Sequence, residues 1–332
     1  AAEDAEVQQK TVEDLRDADS PTVWVADHSD RADGDPRGGA ISIKPLDPAR
    51  YLHHTVWDRG RRFALLSATM LDKDAFCRGA GLDPSTVALV DVPHTFPVEN
   101  RALYDVTRGK MTYERRGETL PKVARTIVRL MTRHDDEKGL IHAHSYDIAE
   151  RLVDVLEARG VGDEVGRHDS EARDAALSGW KRSFDPDVVV SVKMREALDL
   201  RGDLCRWQVL CKAPYPNTND SRVARRLEDG QWGWYYRAAL RTVIQACGRV
   251  VRAPDDHGAT YLADESLLDL FERARSDMPP WFEAQVDRLS RPELPPFDPA
   301  LAVRNADRSR GSRRSNARDI DDHPLSDVWG DG

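Results

Sequence analysis

From about residue 89 onward, short apolar runs alternate with helix-length amphipathic stretches, and few folds accommodate that alternation. GLIHAHS (139–145), DVVVSV (187–192), WQVLCKAP (207–214) and ATYLA (259–263) read as strands, and EVGRH as a further short one. A segment near 119–134, YDIAERLVDVLEARG, SEARDAALSGWKRSF, a long stretch from about 232 to 252 and ESLLDLFERAR read as helices. Near 119–134 the apolar residues Val123, Ile127 and Leu130 recur at helical spacing. Strands separated by helices of about 10–15 residues imply a parallel sheet wrapped by helices, an α/β fold.

The region before residue 89 reads differently. Residues 1–20 suggest an acidic helix. TVWVADH (22–28) and ISIKPLD (41–47) read as strands joined by the turn-rich SDRADGDPRGG. LDPARYLHHTVW reads as a helix after its N-terminal proline, RRFALLSAT (61–69) as a short buried strand, and 70–82 as helical. From about residue 303 the polar RSRGSRRSNARDIDDHP has no apolar period and is expected to be disordered. No internal repeat is evident.

Composition narrows the function classes. The net charge is −9, with 41 Asp against 17 Glu and 40 Arg against 9 Lys. A negative chain repels nucleic acid, whose affinity comes mostly from basic contacts, so nucleic-acid binding would need a local basic groove. Aspartate excess with few lysines suggests adaptation to high salt, with a halophilic archaeal source as the expectation. In such salt the reach of charge shrinks to a few Å. No run of 18 or more apolar residues is present, so no transmembrane helix is expected. The acidic start AAEDAEVQQK has no apolar core of a secretory signal. Cys77, Cys205, Cys211 and Cys247 form no CxxC pair, which argues against a zinc ribbon or iron–sulfur site within this chain and for a reduced, cytoplasmic setting.

The octet QACGRVVR (245–252) carries the strongest chemical signal. On a continuous helix, Gln245, Arg249 and Arg252 share one face, with Arg241 extending the stripe and the aliphatic residues turned inward. Two arginines on the rim of a nucleotide cleft suit stabilisation of charge on a transferring γ-phosphoryl group, and their planar fork favours bidentate contact. A mid-helix Gly248, costing about 1 kcal/mol relative to Ala, suggests close backbone approach. An ordinary amphipathic helix with a solvated arginine face would show the same octet.

QACGRVVR resembles the QxxGRxxR motif VI of superfamily 2 helicases, and further segments resemble that family's motifs in their order. FALLSATML (63–71) resembles motif III, KGLIHAHSYDIAERL (138–152) motif IV, and DVVVSVKMREALDLRGDLCRWQVLCKAPYPN (187–217) motif V with its downstream strand in the XPD/DinG branch. VPHTFPVENR (92–101) resembles that branch's entry into its second motor domain. The resemblance covers roughly residues 20–290. It implies a RecA-like parallel sheet flanked by helices, preceded by a fragment of a second RecA-like domain. Residues 1–88 would end the first motor domain, 89–290 form the second, and 291–332 make a polar tail.

In that family two RecA-like domains clamp ATP, and the first carries the phosphate loop and the Mg²⁺-binding acidic box. Neither is evident here: GDPRGGA (34–40) lacks the Lys-Ser/Thr pair, and Asp135-Asp136-Glu137 follows no apolar strand. ATP and Mg²⁺ would then be held mainly by a first motor domain elsewhere, and the chain alone is expected to be inactive. An iron–sulfur cluster of that branch would lie upstream, with 1–50 as the return from its insertion. The resemblance implies that Arg249 and Arg252 contact the γ-phosphate while Gln245 positions the nucleotide. Glu196 and Asp199 would link the nucleotide cleft to the strand-binding surface, and Ser67 and Thr69 couple cleft to DNA. Ser145 and Ser191 would face DNA phosphates, with Arg195 adding a contact. The implied partners are single-stranded DNA, duplex junctions and the first motor domain, with no membrane. Where the family has Gly in motif V this chain has Ala197, which leaves open a degenerate paralogue, and the rival reading is a non-catalytic nucleic-acid-binding or interaction module.

Other features have two readings each. His142 and His144 on one strand face could bind a metal or be a buried, hydrogen-bonded pair; no third ligand is apparent and no metal site is expected. Trp232, Trp234, Tyr235 and Tyr236 could stack bases or pack the helix start. Arg222, Arg225 and Arg226 could track a DNA backbone or form a solvated face. The cysteines read as small core residues.

Overall fold

The structure is a computed structural model that describes residues 9, 13, 23–29, 40–92, 94–157, 165–166, 179–182, 188–192, 200 and 202–297. In chain order these form β1 (Trp24–Ser29), β2 (Ala40–Pro45), α1 (Ala49–Thr55), α2 (Lys73–Ala80), β3 (Arg101–Asp105), α3 (Arg116–Arg133), β4 (Gly139–His142), α4 (Tyr146–Glu157), β5 (Val165–Gly166), β6 (Val188–Ser191), β7 (Trp207–Leu210), α5 (Ser221–Glu228), α6 (Trp232–Cys247), β8 (Gly258–Leu262), α7 (Glu265–Arg273) and α8 (Pro280–Val286). They fall into two compact units, one of residues 1–93 with 215–241 and one of residues 94–214 with 242–332.

In the first unit β1 and β2 pair antiparallel, from Trp24 opposite Pro45 to Ser29 opposite Ala40. Helix α2 has Asp72 at its N-cap, accepting from Ala75 N. It stops at Gly81, whose φ of 67° lets the chain turn left-handed where a side chain would be strained. The strand expected at 61–69 is absent: residues 62–67 have no regular secondary structure and no pairing partner among the described residues, and Leu66 is 95% exposed. Apolar β-prone sequence forms a strand only when a neighbour completes its ladder, and none is available among the described residues.

The second unit is built on a parallel sheet in the order β3-β8-β7-β4-β6-β5. Strands β4, β6 and β7 are buried along their whole length, as expected where both faces of a parallel sheet are covered. Side chains alternate between faces. Ile141, Val188, Val190, Trp207, Val209 and Tyr261 share a core with α3 and α4, whose Val123, Ile127, Leu130, Ile148, Leu152 and Leu156 are buried against them. Each such aliphatic side chain contributes about 1.5–3 kcal/mol. Gly139 opens β4 because a Cβ there would lie 2.3 Å from the Trp207 ring, so only glycine lets the indole cross that strand. On the other face Leu140 and Val189 pack with Trp180, Leu200, Cys205, Val250 and Val251.

The edge strand β3 is covered by the segment 290–297. Asp105 N donates to Ser290 O at 2.9 Å, and arginines of α3 hold the rest: Arg129 on Leu294 O and Pro295 O, Arg133 on Glu293 O. Covering an edge in this way blocks pairing with other chains.

Candidate functional site

The octet 245–252 does not continue as a helix. Helix α6 ends at Cys247, and the longer helix expected to 252 is corrected accordingly. Arg249 N donates to Ala246 O at 3.1 Å, closing a tight turn. Three causes coincide. Glycine at 248 is a poor helix former. Val250 and Val251 are drawn into the apolar cluster on the sheet. Asp256 accepts from Arg252 N at 3.0 Å and fixes the departing chain. Gly248 is not mid-helix, and a Cβ added there would meet nothing closer than 3.6 Å, so the close approach expected at this glycine is absent. Gln245 remains on α6, but Arg249 and Arg252 leave it on a turn rather than sharing its face.

The two arginines have different environments. Arg249 is buried, and burial together with the neighbouring Arg252 draws its pKa down to about 10. Arg252 is exposed, with Nη1 near Gly248 O. Asp256 anchors the turn from below: its carboxylate also takes Arg206 Nη1 at 2.6 Å and His257 N at 3.0 Å. Burial works to raise the Asp256 pKa, but the backbone donors of Arg252 and Gly202 and the Arg206 guanidinium outweigh it and hold the carboxyl below its usual range.

Beneath Arg249 lies a polar cluster that sequence reading missed. Strand parity places His142, Gln208 and Thr260 on one face of the sheet. The Gln208 amide nitrogen donates to Ala246 O at 2.9 Å and to Thr260 Oγ1 at 2.8 Å. Both amide protons are therefore engaged, and Gln208 Oε1 must accept from His142 Nε2, 3.0 Å away. That fixes the His142 tautomer and leaves Nδ1 as an acceptor. Burial first, then Arg249 and His144 against the Gln208 bond, pull the His142 pKa to about 3, so the ring is neutral. Ala246 O thus receives both Gln208 and Arg249 N, which ties the backbone of Arg249 to the sheet. A glutamine in an otherwise apolar strand was the available signal. His144 leaves the strand with φ 62°, so the two histidines do not share a strand face; among the described residues no group of three or more His, Cys, Asp or Glu could hold a metal.

The remaining expected residues are placed as follows. Ser191 ends β6, buried and in register with His142. Ser145 caps α4, its Oγ accepting from Ile148 N at 3.2 Å. In the other unit, Ser67 is exposed and its Oγ accepts from Thr69 N; Thr69 is buried, and its carbonyl accepts from Arg241 Nε. Arg195, Glu196, Ala197 and Asp199 lie outside the described residues, as do nearly all of 1–20 and the tail beyond 297. The basic cluster on α5 is internally engaged: Arg222 with Asp220, Arg225 with Asp229, and Arg226 with Leu46 O and the Trp234 ring. The α6 aromatics pack together, with Tyr215 stacked on Tyr235 at 5.1 Å. All four cysteines are buried and free, and no described helix is long and apolar enough to cross a membrane.

Residues 127–285 match the family model of the helicase C-terminal domain. Regulator of telomere elongation helicase 1 of Homo sapiens is 24% identical over 296 residues, covering 75% of this chain and 23% of that protein. The protein of the same name from Mus musculus is 32% identical over 291 residues, covering 74% and 23%. The general transcription and DNA repair factor IIH helicase subunit XPD/RAD3 of Saccharomyces cerevisiae is 27% identical over 158 residues, covering 41% and 20%. The chain thus spans less than a quarter of the length of these relatives. A solved structure described as an XPD helicase superposes with a TM-score of 0.53 at 19% identity, covering 71% of this chain and 45% of that one, a likeness of fold. Residues 127–285 are thus similar to a helicase C-terminal domain, on a parallel sheet of RecA-like fold, and the chain is similar to the telomere-elongation regulators and to XPD/RAD3.

Proposed function

We propose that the chain is the C-terminal motor part of an ATP-dependent DNA helicase, coupling ATP hydrolysis to movement along a single strand and to duplex unwinding. The observation that carries this reading is Arg249: a buried guanidinium beside that of Arg252, on the turn that follows α6. Two guanidinium groups side by side on one turn fit a phosphate group. ATP supplies the transferable γ-phosphoryl group when bound, with its Mg²⁺ held mainly by a first motor domain. Arg249 and Arg252 are the residues that would meet its charge, and Gln245 would orient the nucleotide.

The other roles follow the same reading. Glu196 and Asp199 would link nucleotide to strand, Ser67 and Thr69 would transmit the nucleotide state, and Ser145, Ser191 and Arg195 would take DNA phosphates. With its hydroxyl capping α4, Ser145 would offer its own proton and the first amides of that helix. Neutral His142 and Gln208 hold the Ala246 carbonyl, and with it the backbone of Arg249, so that the guanidinium is pre-positioned.

The test is ATPase activity in a full-length protein bearing a phosphate loop. Arg249→Ala and Arg252→Ala should each lower kcat by about 10³-fold or more while leaving nucleotide binding measurable. Undiminished turnover in both variants would leave only a nucleic-acid-binding or interaction module.

A further inference from the structure

Along one face of α3, Arg125, Arg129 and Arg133 recur at four-residue spacing and form a row. Segment 293–297 runs beside the row in the opposite direction. Arg133 Nη1 donates to Glu293 O, Arg129 donates to Leu294 O and Pro295 O, and the Arg125 Cζ stands 4.6 Å from the centroid of the Phe297 ring. Arg108, in the loop after β3, donates to Thr126 Oγ1 at 3.3 Å and adds a fourth cation. Burial first, then Arg108 and Arg125, pull the Arg129 pKa down. The partners of these four guanidinium groups are carbonyls, a hydroxyl and aromatic rings. Among the described residues none of the four makes an ion pair with a carboxylate. Arg108, Arg125 and Arg133 are exposed. In a chain of net charge −9, a row of cations without carboxylates is a surface for an acidic occupant.

The same sequence supplies that occupant. Segment 319–332 holds Asp319, Asp321, Asp322, Asp327 and Asp331 and no lysine or arginine. Phe297, seated under Arg125, passes the chain on at one end of the row. A linker of the length of 298–318 spans about 25 Å, against about 12 Å from Arg125 to Arg133. The aspartates therefore reach the row, and the tether holds them near it at an effective concentration on the order of 1 mM, enough to fill a weak site. Arg304, Arg308, Arg310, Arg313, Arg314 and Arg318 in that linker are competing cations. The α3 row has an advantage over them: its guanidinium groups are already fixed by carbonyl bonds and the Phe297 ring, so less freedom is lost on pairing. We propose that the arginine row of α3 is a docking surface for the acidic segment 319–332 of the same chain. This docking goes beyond the helicase reading and does not depend on it.

Fluorescence anisotropy of a labelled synthetic peptide of residues 319–332, with the full 332-residue chain as receptor, tests it. A chain bearing Asp319→Asn, Asp321→Asn, Asp322→Asn, Asp327→Asn and Asp331→Asn should bind the peptide about 10-fold more tightly than wild type, whose row is already filled. In that asparagine chain, Arg125→Gln with Arg133→Gln should weaken the peptide about 5-fold or more. Lysine at both positions should retain most of the affinity, because charge rather than fork geometry carries an exposed pair, and added salt should weaken every complex. Equal peptide affinity of the wild-type and asparagine chains overturns docking within the chain, and so does an asparagine chain that binds no peptide. Glutamine variants that fold, by circular dichroism, and bind the peptide as their parent does overturn the row in favour of the arginines of 304–318. Labelled oligo-dT that binds and is lost in the glutamine variants, where the peptide does not bind, assigns the row to nucleic acid and overturns the proposal.

Discussion

The two units differ in how completely they satisfy their own apolar surface. The parallel-sheet unit buries three strands whole, covers both faces, and caps its open edge with 290–297. Inside it Gln208 is answered by His142, Ala246 and Thr260, and Asp264 by three backbone amides. The other unit leaves Phe63, Leu65, Leu66, Leu89, Val90 and Val92 exposed in two unpaired stretches. Contiguous exposed apolar residues of this kind mark surface that something else covers. The first region carries its fold in itself, whereas the second carries sequence suited to a sheet whose other strands are not among the described residues.

The sharpest test of that contrast is Trp207→Ala. The indole is fully buried, lies over Gly139 and stacks on His134 at 5.2 Å. Its removal should cost about 3–5 kcal/mol in urea unfolding followed by circular dichroism. A loss below about 1 kcal/mol would show that the sheet core is not the stabilising element.

Asp256 offers a pH-dependent test within the same unit. Its folded pKa lies below the usual carboxylate value, so its contribution is fully present above the unfolded value of about 3.9 and is lost as pH falls through the folded pKa. Asp256→Asn should cost about 1.5–3 kcal/mol at neutral pH through weakened bonds to Arg206 and Arg252 N. The variant should also lose less additional stability than wild type on acidification below about pH 4. Parallel acid profiles for the two proteins would remove Asp256 as the anchor of the arginine turn.

How much of this was legible beforehand follows the same divide. The parallel sheet showed in the sequence because runs such as VVVS and LIH, spaced by amphipathic helices, are self-sufficient signals. The octet 245–252 was legible as residue types but not as shape. Helical periodicity put Arg249 and Arg252 on one helix face, yet burial of Val250 and Val251 and the bonds to Asp256 came from residues distant in sequence. Gln208 went unnoticed for the same reason: whether a polar side chain in a strand is satisfied depends on its neighbours across the sheet. RRFALLSAT misled because a local pattern cannot report whether a pairing strand is present.

The smallest expected effect bears on that last segment. In this chain Leu66→Ser should change stability by no more than about 0.5 kcal/mol, since a 95% exposed leucine has little burial to lose. Solubility should rise as an apolar patch is interrupted. Amides of 63–67 should exchange with solvent rapidly in this chain, their hydrogens being free of ladder partners. In a longer protein whose further strands pair with this segment, the same amides should become protected, and Leu66→Ser should cost about 2–5 kcal/mol through the cavity and the buried hydroxyl. A large loss in the present chain would mean that the segment is already packed and that the contrast between the units is wrong. An unprotected segment in the longer protein would mean that its apolar face meets a partner other than a sheet.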